Sequence, residues 1–318
     1  MAEHSEFALI RHYLSRLGAT RDDVTLGVGD DAAVVTTSGR PLLMALDTLV
    51  DGVHFPSDLP AYWIGYRALA VNLSDIAAMG GEPCWALLGL TLPDVDEEWV
   101  AAFADGLGTL AARHGVAVIG GDVTRGPLSI SVQITARAPD TPLRRDGACP
   151  GDRVWVSGRP GDAMGGLGVW QSAAHRDQPR WRGLRRAFVV PRPRLTLGRA
   201  LTGIATAAID ISDGLAADAG HIADRSGVAI DLAAAACRPS SRLRRWRGEA
   251  AVAAQPGGGD DYELCFTAPA SADTGVIAAA RRSRTPVRRI GSVDTGAGVT
   301  CDGRPIADTD GGYRHFPD

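Results

Sequence analysis

Aspartates recur in this chain where a polypeptide usually turns. Gly27-Val28-Gly29-Asp30-Asp31-Ala32 follows a short apolar run, and Asp47 follows the strand-like Leu42 to Leu46. Asp122 follows Val116 to Ile119 through Gly120-Gly121, while Asp210 and Asp213 flank Ile211-Ser212. Loops at strand ends are where α/β proteins place ligand-binding groups. Asp75 differs, because it sits inside an otherwise apolar helical stretch one turn after Asn72. A carboxylate there is costly unless something cationic meets it. Each Gly-Asp pair alone reads as a turn, and Ser212 alone reads as a helix N-cap. Taken together, six or seven carboxylates at element ends, with no lysine and no zinc ligands, suggest oxygen-ligated Mg²⁺.

Composition narrows the chemistry further. The chain has 318 residues, and its 33 basic residues are all arginine. Of the 37 acidic residues, seven are glutamate and 30 aspartate. Without lysine, a Walker A ATPase, a protein kinase and a Schiff-base enzyme are all excluded. The seven histidines form neither H-x-H nor H-E-x-x-H, and the five cysteines are scattered without a C-x-x-C, which argues against zinc and against a disulfide framework. A net charge of −4 is too mild to argue for nucleic acid. The arginines concentrated in Arg176 to Arg199 and Arg238 to Arg247 read as solvated helix faces. No apolar run approaches the roughly 18 residues that span a bilayer. The opening Met1-Ala2-Glu3-His4-Ser5-Glu6 has no basic region ahead of an apolar stretch, so cytoplasmic placement is expected.

The Gly-rich stretches Gly158 to Gly168 and Gly257 to Gly259 offer backbone N–H groups to a phosphate, or are plain loops. Phosphoryl transfer between two anions needs its charge neutralised, and without lysine that cation is metal or arginine. The residues alone lead to a Mg-dependent nucleotide or phosphate enzyme, or to a structural protein that binds divalent ions.

The elements that position these groups alternate between strand and helix periodicity, which indicates an α/β or α+β class. Strands are expected at Leu42 to Leu46, Ala86 to Leu92, Val116 to Ile119 and Ser129 to Ala136, with helices at Ala61 to Gly80 and Asp96 to His114. Ala138 to Asp152 is rich in Pro, Gly and charge and marks a boundary, giving domains at 1–138 and 150–318. Beyond it come strands Arg153 to Ser157, Ala205 to Ile211 and Glu263 to Thr267, and a helix Leu215 to Ser226 stopped by Gly227.

The chain resembles the thiamine-monophosphate kinase family of the aminoimidazole-ribonucleotide-synthetase-like superfamily. The resemblance runs from Glu6-Phe7 to Tyr313. Its motifs appear in order as GVGDDAAV (27–34), DTLVDGVHF (47–55), ALAVNLSDIAAMG (68–80), TLPDVDEEW (91–99), IGGDVTRGPLS (119–129), PGDRVWVSG (150–158), AIDISDGL (208–215) and GGDDYELCF (258–266). It implies ATP-dependent phosphorylation of thiamine monophosphate to thiamine diphosphate by direct in-line transfer, with several Mg²⁺ ions. It also implies a two-domain α/β fold, a homodimer whose N-terminal domains form an interface β-barrel, and a nucleotide cleft between the domains.

By position, Asp31, Asp47, Asp75, Asp122, Asp210 and Asp213 match the family's Mg²⁺ ligands, helped by the backbone at Ala45 and Leu46. Gly121, Asp122, Arg145 and Ser212 match nucleotide contacts, and His54, Asp260 and Tyr313 match the thiamine-phosphate pocket. The chain departs from the common pattern at Ala45-Leu46, where hydroxyl residues are frequent, at Val123 for Thr, and at Asp260 for Glu. Aminoimidazole-ribonucleotide synthetase and a non-catalytic nucleotide or thiamine-phosphate binder are the alternatives.

Overall fold

The computed structural model describes residues 9–28, 32–37, 39–248 and 258–306. The chain divides into two compact units, Met1–Ile76 with Gly81–Ala138, and Ala77–Gly80 with Pro139–Asp318.

The first unit is built on a four-stranded sheet in the order β3-β6-β4-β5. Its strands are β3 (Leu42–Val50), β4 (Glu82–Leu92), β5 (Ala117–Arg125) and β6 (Ser129–Arg137). A short β1–β2 pair (Val24–Leu26, Val34–Val35) precedes them. β4 and β5 run parallel, joined by a helix, and β6 pairs antiparallel with β3 and β4. On β6, Ile130, Val132, Ile134 and Ala136 alternate inward and are fully or almost fully buried, the period-2 signature of a half-covered sheet.

Helix α1 (Ala61–Ala78) joins β3 to β4; most of it is apolar, and it is buried on nearly every side. Helix α2 (Glu97–His114) joins β4 to β5; Asp96 caps its start by accepting the Trp99 N–H, and Gly115 ends it at φ 68°. The two helices touch backbone to backbone. A Cβ on Gly65 would stand 2.0 Å from the Phe103 carbonyl oxygen, and one on Gly106 would stand 1.8 Å from that of Tyr62.

Several expected strand ends moved, among them the start of β4, at Glu82 rather than Ala86. β3 continues through Asp47 to Val50 because all nine of its residues find partners on β6. The Gly120-Gly121 pair does not end β5 either. The register skips one residue at Ile119 opposite Ala86/Leu87, a bulge, and pairing resumes through Asp122 to Arg125.

The second unit is a mixed seven-stranded sheet in the order β13-β12-β9-β11-β7-β10-β8. In chain order these are β7 (Asp152–Ser157), β8 (Ala207–Asp210), β9 (Ala229–Leu232), β10 (Leu264–Pro269), β11 (Val287–Asp294), β12 (Gly298–Cys301) and β13 (Arg304–Pro305). Its helices are α3 (Asp162–Gln171), α4 (Arg182–Val189), α5 (Leu195–Leu201), α6 (Leu215–Ser226), α7 (Ser241–Arg247) and α8 (Asp273–Arg282). Val154, Val156, Ile209, Ile211, Ile222, Ile230 and Ile290 form its main core beneath α6. Both units mix sheets and helices, in keeping with the expected α/β (α+β) class. Among the described residues no helix is long and apolar enough to cross a membrane.

One charged hub fastens the N-terminal hairpin to the first sheet. Asp23 accepts from Arg21 at 2.8 and 2.7 Å, from Trp85 Nε1 on β4 at 3.0 Å and from Arg137 on β6. The Arg21 guanidinium beside it, together with Trp85 and Arg137, lowers the Asp23 carboxyl to about 2 from the usual 3.8. A group whose folded value is depressed contributes stability above its unfolded value and loses it as pH falls. For Asp23 this is about 2 kcal/mol, present above about pH 4 and lost between about pH 4 and 2. Urea titrations at pH 7 and pH 2.5 should therefore show Asp23→Asn less stable than the parent at pH 7 by roughly that amount, with the gap nearly closed at pH 2.5. A gap unchanged by pH would show that Asp23 is not held ionised by its arginines.

Candidate functional site

In the first unit the candidate ligands gather where α1 meets β3. The Asp47 backbone N–H donates to Asn72 Oδ1 at 3.1 Å, and Asn72 Nδ2 returns to the Ala68 carbonyl at 3.0 Å. Asn72 is fully buried and ties the helix to the strand. Asp75 lies three residues further along α1 and so continues the Asn72 face. The Asp47 carboxyl is half-buried, and burial raises it above the usual carboxylate range. Such a group favours a proton or a metal ion over standing alone as an anion.

His54 is fixed at the far end of β3. Its Nδ1 accepts the Val50 N–H at 3.0 Å, and its backbone N–H donates to the Val50 carbonyl at 2.9 Å. With Nδ1 accepting, the ring proton of the neutral imidazole sits on Nε2.

Asp122 stands apart from Asp47. Thr48, Ser131, Gly89 and Asp122 form one row of register partners across β3-β6-β4-β5. Three strand spacings put β3 and β5 about 14 Å apart. Within one copy of the chain, a single ion cannot touch both carboxylates. The neighbouring Gly121 has φ 147°, and a Cβ there would stand 1.9 Å from the Leu88 carbonyl oxygen, so this approach to β4 admits glycine alone.

In the second unit, Asp210, Ser212 and Asp213 lie together at the β8–α6 junction, with Asp210 buried at the strand end. The loop bearing Asp260 is laced onto this junction. The Asp260 N–H donates to the Ser212 carbonyl at 2.7 Å, the Tyr262 N–H to that of Ile211 at 2.8 Å, and the Ile211 N–H to that of Glu263 at 2.8 Å. Asp260 and Tyr262 both have positive φ, 72° and 50°, a conformation non-glycine residues rarely adopt. Such backbone is retained where surrounding structure imposes it, and it clusters at functional sites. Arg145 has an exposed side chain, while its carbonyl accepts from Ser226 Oγ at 2.8 Å. Asp31 and Tyr313 lie outside the described residues.

The junction also holds residues the sequence reading missed. One oxygen or nitrogen each from Asp213, Asp218 and His221 lie within 4.8 Å of one another. Burial, with Asp210 and then Asp213 nearby, pushes Asp218 up to about 8. Its one available signal was an acid in the first turn of a helix that follows Asp-Ile-Ser-Asp-Gly. Asp261 gave no comparable signal. It is raised well above the carboxylate range by burial, and its two oxygens accept the N–H groups of Gly161 at 2.6 Å and Ala163 at 3.2 Å. The Gly158 to Gly168 stretch therefore gives two of its amides to an internal carboxylate. Its Gly166 serves packing instead, since a Cβ there would stand 2.2 Å from the Leu184 carbonyl oxygen of α4.

The donors gathered in each unit are carboxylates, a hydroxyl and one imidazole, a set that suits a hard divalent cation held mostly through oxygen. Crowded or buried carboxylates at Asp47 and at Asp210/Asp213 fit such an ion.

The sequence comparisons define the class first. Residues 29–138 match the family described as AIR synthase related protein, N-terminal domain. Across the whole length the chain is 41% identical to the thiamine-monophosphate kinase of Salmonella typhimurium, covering 98% of each. The crystal structure of the thiamine-monophosphate kinase from Stenotrophomonas maltophilia K279a superposes at a TM-score of 0.85 with 46% identity, over 90% of this chain and 93% of that one. AaThiL complexed with AMPPCP and TMP superposes at 0.81 with 33% identity, over 91% and 92%. The chain belongs to the thiamine-monophosphate kinase family.

Replacing Asp47 by Asn removes a carboxylate that burial disfavours and keeps its shape. Without divalent cations, Asp47→Asn should melt at or above the parent's temperature, and the rise that Mg²⁺ gives the parent should shrink. Thermal melts in EDTA and in Mg²⁺ check this, and an unchanged Mg²⁺ response would remove Asp47 from the ligands.

Proposed function

We propose that the chain transfers the γ-phosphoryl group of ATP to thiamine monophosphate, yielding thiamine diphosphate and ADP. The observation that carries this reading is the full-length likeness to AaThiL, whose complex holds AMPPCP and TMP together. AMPPCP has a methylene in place of the β–γ bridging oxygen, so the pair represents an ATP-like donor beside its acceptor. A phosphate oxygen of the acceptor attacks the γ-phosphorus in line, and the bond from that phosphorus to the β–γ bridging oxygen breaks. The attacking oxygen is already anionic near neutral pH, so no side chain is assigned as a base. The work of the protein is positioning and charge compensation.

Asp31, Asp47, Asp75, Asp122, Asp210 and Asp213 are assigned to several Mg²⁺ ions, which when bound neutralise phosphate charge. Arg145, Gly121, Asp122 and Ser212 are assigned to the nucleotide, with the exposed Arg145 guanidinium offering a planar fork to phosphate. His54, Asp260 and Tyr313 are assigned to thiamine monophosphate, where a carboxylate and an aromatic ring suit a cationic thiazolium. Residues 1–138 take nucleotide, Mg²⁺ and dimer contacts, and residues 150–318 supply the remaining groups. Cytoplasmic placement accompanies this reading.

Features of the first sheet support a homodimer. Met44 and Leu46 are 67% and 61% exposed, and Leu87, in register with Leu46 through Gln133, is 40% exposed. An apolar sheet face of this kind calls for cover. Among the described residues β3 pairs only with β6, and Gly120–Arg125 of β5 only with β4. Closing two such sheets edge to edge would cover this face in both copies.

Product analysis with Mg-ATP and thiamine monophosphate, with free thiamine and EDTA as controls, should show thiamine diphosphate from the monophosphate alone and only with Mg²⁺. No diphosphate from a folded protein that binds ATP would sink the kinase reading. In the same assay Asp122→Asn should lower kcat by about 100-fold or more while its melting temperature stays near the parent's. Normal turnover would take Asp122 out of the site.

A further inference from the structure

Asp218 lies in the first turn of α6 and is 2% exposed. Its Oδ2 accepts the backbone N–H groups of Ser212 at 3.1 Å, Asp213 at 3.2 Å and Gly214 at 3.0 Å. Three consecutive amides converging on one point make a nest of the kind that binds anions. Here the chain fills its own nest, so Ser212 has its hydroxyl and not its N–H to offer a nucleotide.

The turn is held from its other side as well. The Ser212 and Ile211 carbonyls accept from Asp260 and Tyr262, so Asp218 grips the amides while the 260–262 loop grips the carbonyls. Gly214, at φ 132° and ψ 150°, takes a conformation reserved for glycine. A Cβ on Gly259 would stand 2.4 Å from the Ser212 carbonyl oxygen, so the two loops approach more closely than a side chain there would allow. What remains to be aimed is the Asp213 carboxylate and the Ser212 hydroxyl.

We infer that Asp218 is a positioning residue whose side-chain oxygen, as acceptor of the three amides, winds the Ser212–Gly214 turn into the shape that presents Asp213 and the Ser212 hydroxyl to metal and nucleotide. The ligands named in this inference rest on the kinase reading; the hydrogen bonds do not. An Asn side chain keeps an oxygen that can accept the same amides without the charge. Alanine removes the acceptor and leaves buried N–H groups unmet.

The test compares the full-length parent, Asp218→Asn and Asp218→Ala. Four quantities are measured: backbone amide exchange at 212–214 without metal, the Mg²⁺ concentration giving half activity, and kcat and KM for thiamine monophosphate. Asp218→Ala should speed exchange at 212–214 at least about tenfold, raise the half-saturating Mg²⁺ by about tenfold and cut kcat by about 100-fold. Its KM for thiamine monophosphate should stay within about threefold, and Asp218→Asn should restore exchange and kcat to within about tenfold of the parent. Parent-like kinetics in Asp218→Ala would overturn the inference. So would an Asp218→Asn protein that keeps slow exchange but turns over as poorly as Asp218→Ala, because the charge would then be what matters. If the alanine variant does not fold, slow exchange with near-parent kcat in Asp218→Asn supports the inference, and loss of either overturns it. If the parent forms no thiamine diphosphate, the kinase reading falls, and exchange at 212–214 still decides whether Asp218 shapes the turn.

Discussion

Carboxylates brought close together in partly dry surroundings repel one another, and each must meet a cation, a hydrogen-bond donor or a proton. A chain with 30 aspartates and no lysine faces this at every buried acid. Three solutions coexist. Arginine meets the acid at Asp23 and at Glu263, which pairs with Arg194 and also accepts from Ser157 Oγ. Backbone amides meet it at Asp218 and Asp261. A hydroxyl meets it at Asp162, which accepts from Ser240 Oγ, and Asp47, Asp210 and Asp213 are among the acids the family resemblance assigns to metal.

These solutions sort structure from function. Where arginine or an amide answers the charge, the contact fastens one element to another: the hairpin to the first sheet through Asp23, the start of α3 to the β10 approach through Asp261. Glu263 occupies the space a side chain on Gly158 would need, so the Gly-rich loop and the ion pair depend on each other. The glycines there make room for carboxylates and for α4. Two amides of that stretch serve Asp261.

Legibility followed the range of the interactions involved. The helix at Leu215–Ser226 was read to the residue, because its periodicity and the Gly227 stop are local. Asp96 and Gly115 framed α2 for the same reason. The extension of β3 past Asp47 was not legible, since it depends on nine partners on β6, 79 to 95 positions away in the chain. Gly120-Gly121 looked like a strand end and proved to be a bulge, a distinction that only the register across β4 makes. Asp261 and Gly161 are 100 positions apart, so no local pattern could reveal that cap. The candidate metal aspartates stood out because many acids at element ends share one explanation, although how they group was invisible: Asp47 with Asp75 near Asn72, Asp210 with Asp213, and Asp122 on the opposite edge of its sheet.

Replacing every lysine by arginine also bears on how such a chain can handle phosphate. A lysine ammonium is a compact point charge on a flexible stem that can follow a moving phosphoryl group, whereas a guanidinium is a planar fork that holds its partner in one plane. Arg194 on Glu263 and Arg21 on Asp23 use that fork bidentately inside the protein, where fixed geometry is an advantage. A transferring phosphoryl group changes shape and charge distribution during the reaction, and a fork aimed at its starting position is poorly placed for its end. Ions held among several carboxylates can share charge among oxygens on both sides of the transfer. The aspartate-rich junctions and the all-arginine composition are complementary on the proposed reading: arginine fixes the scaffold, and the strand-end aspartates would leave the moving charge to metal.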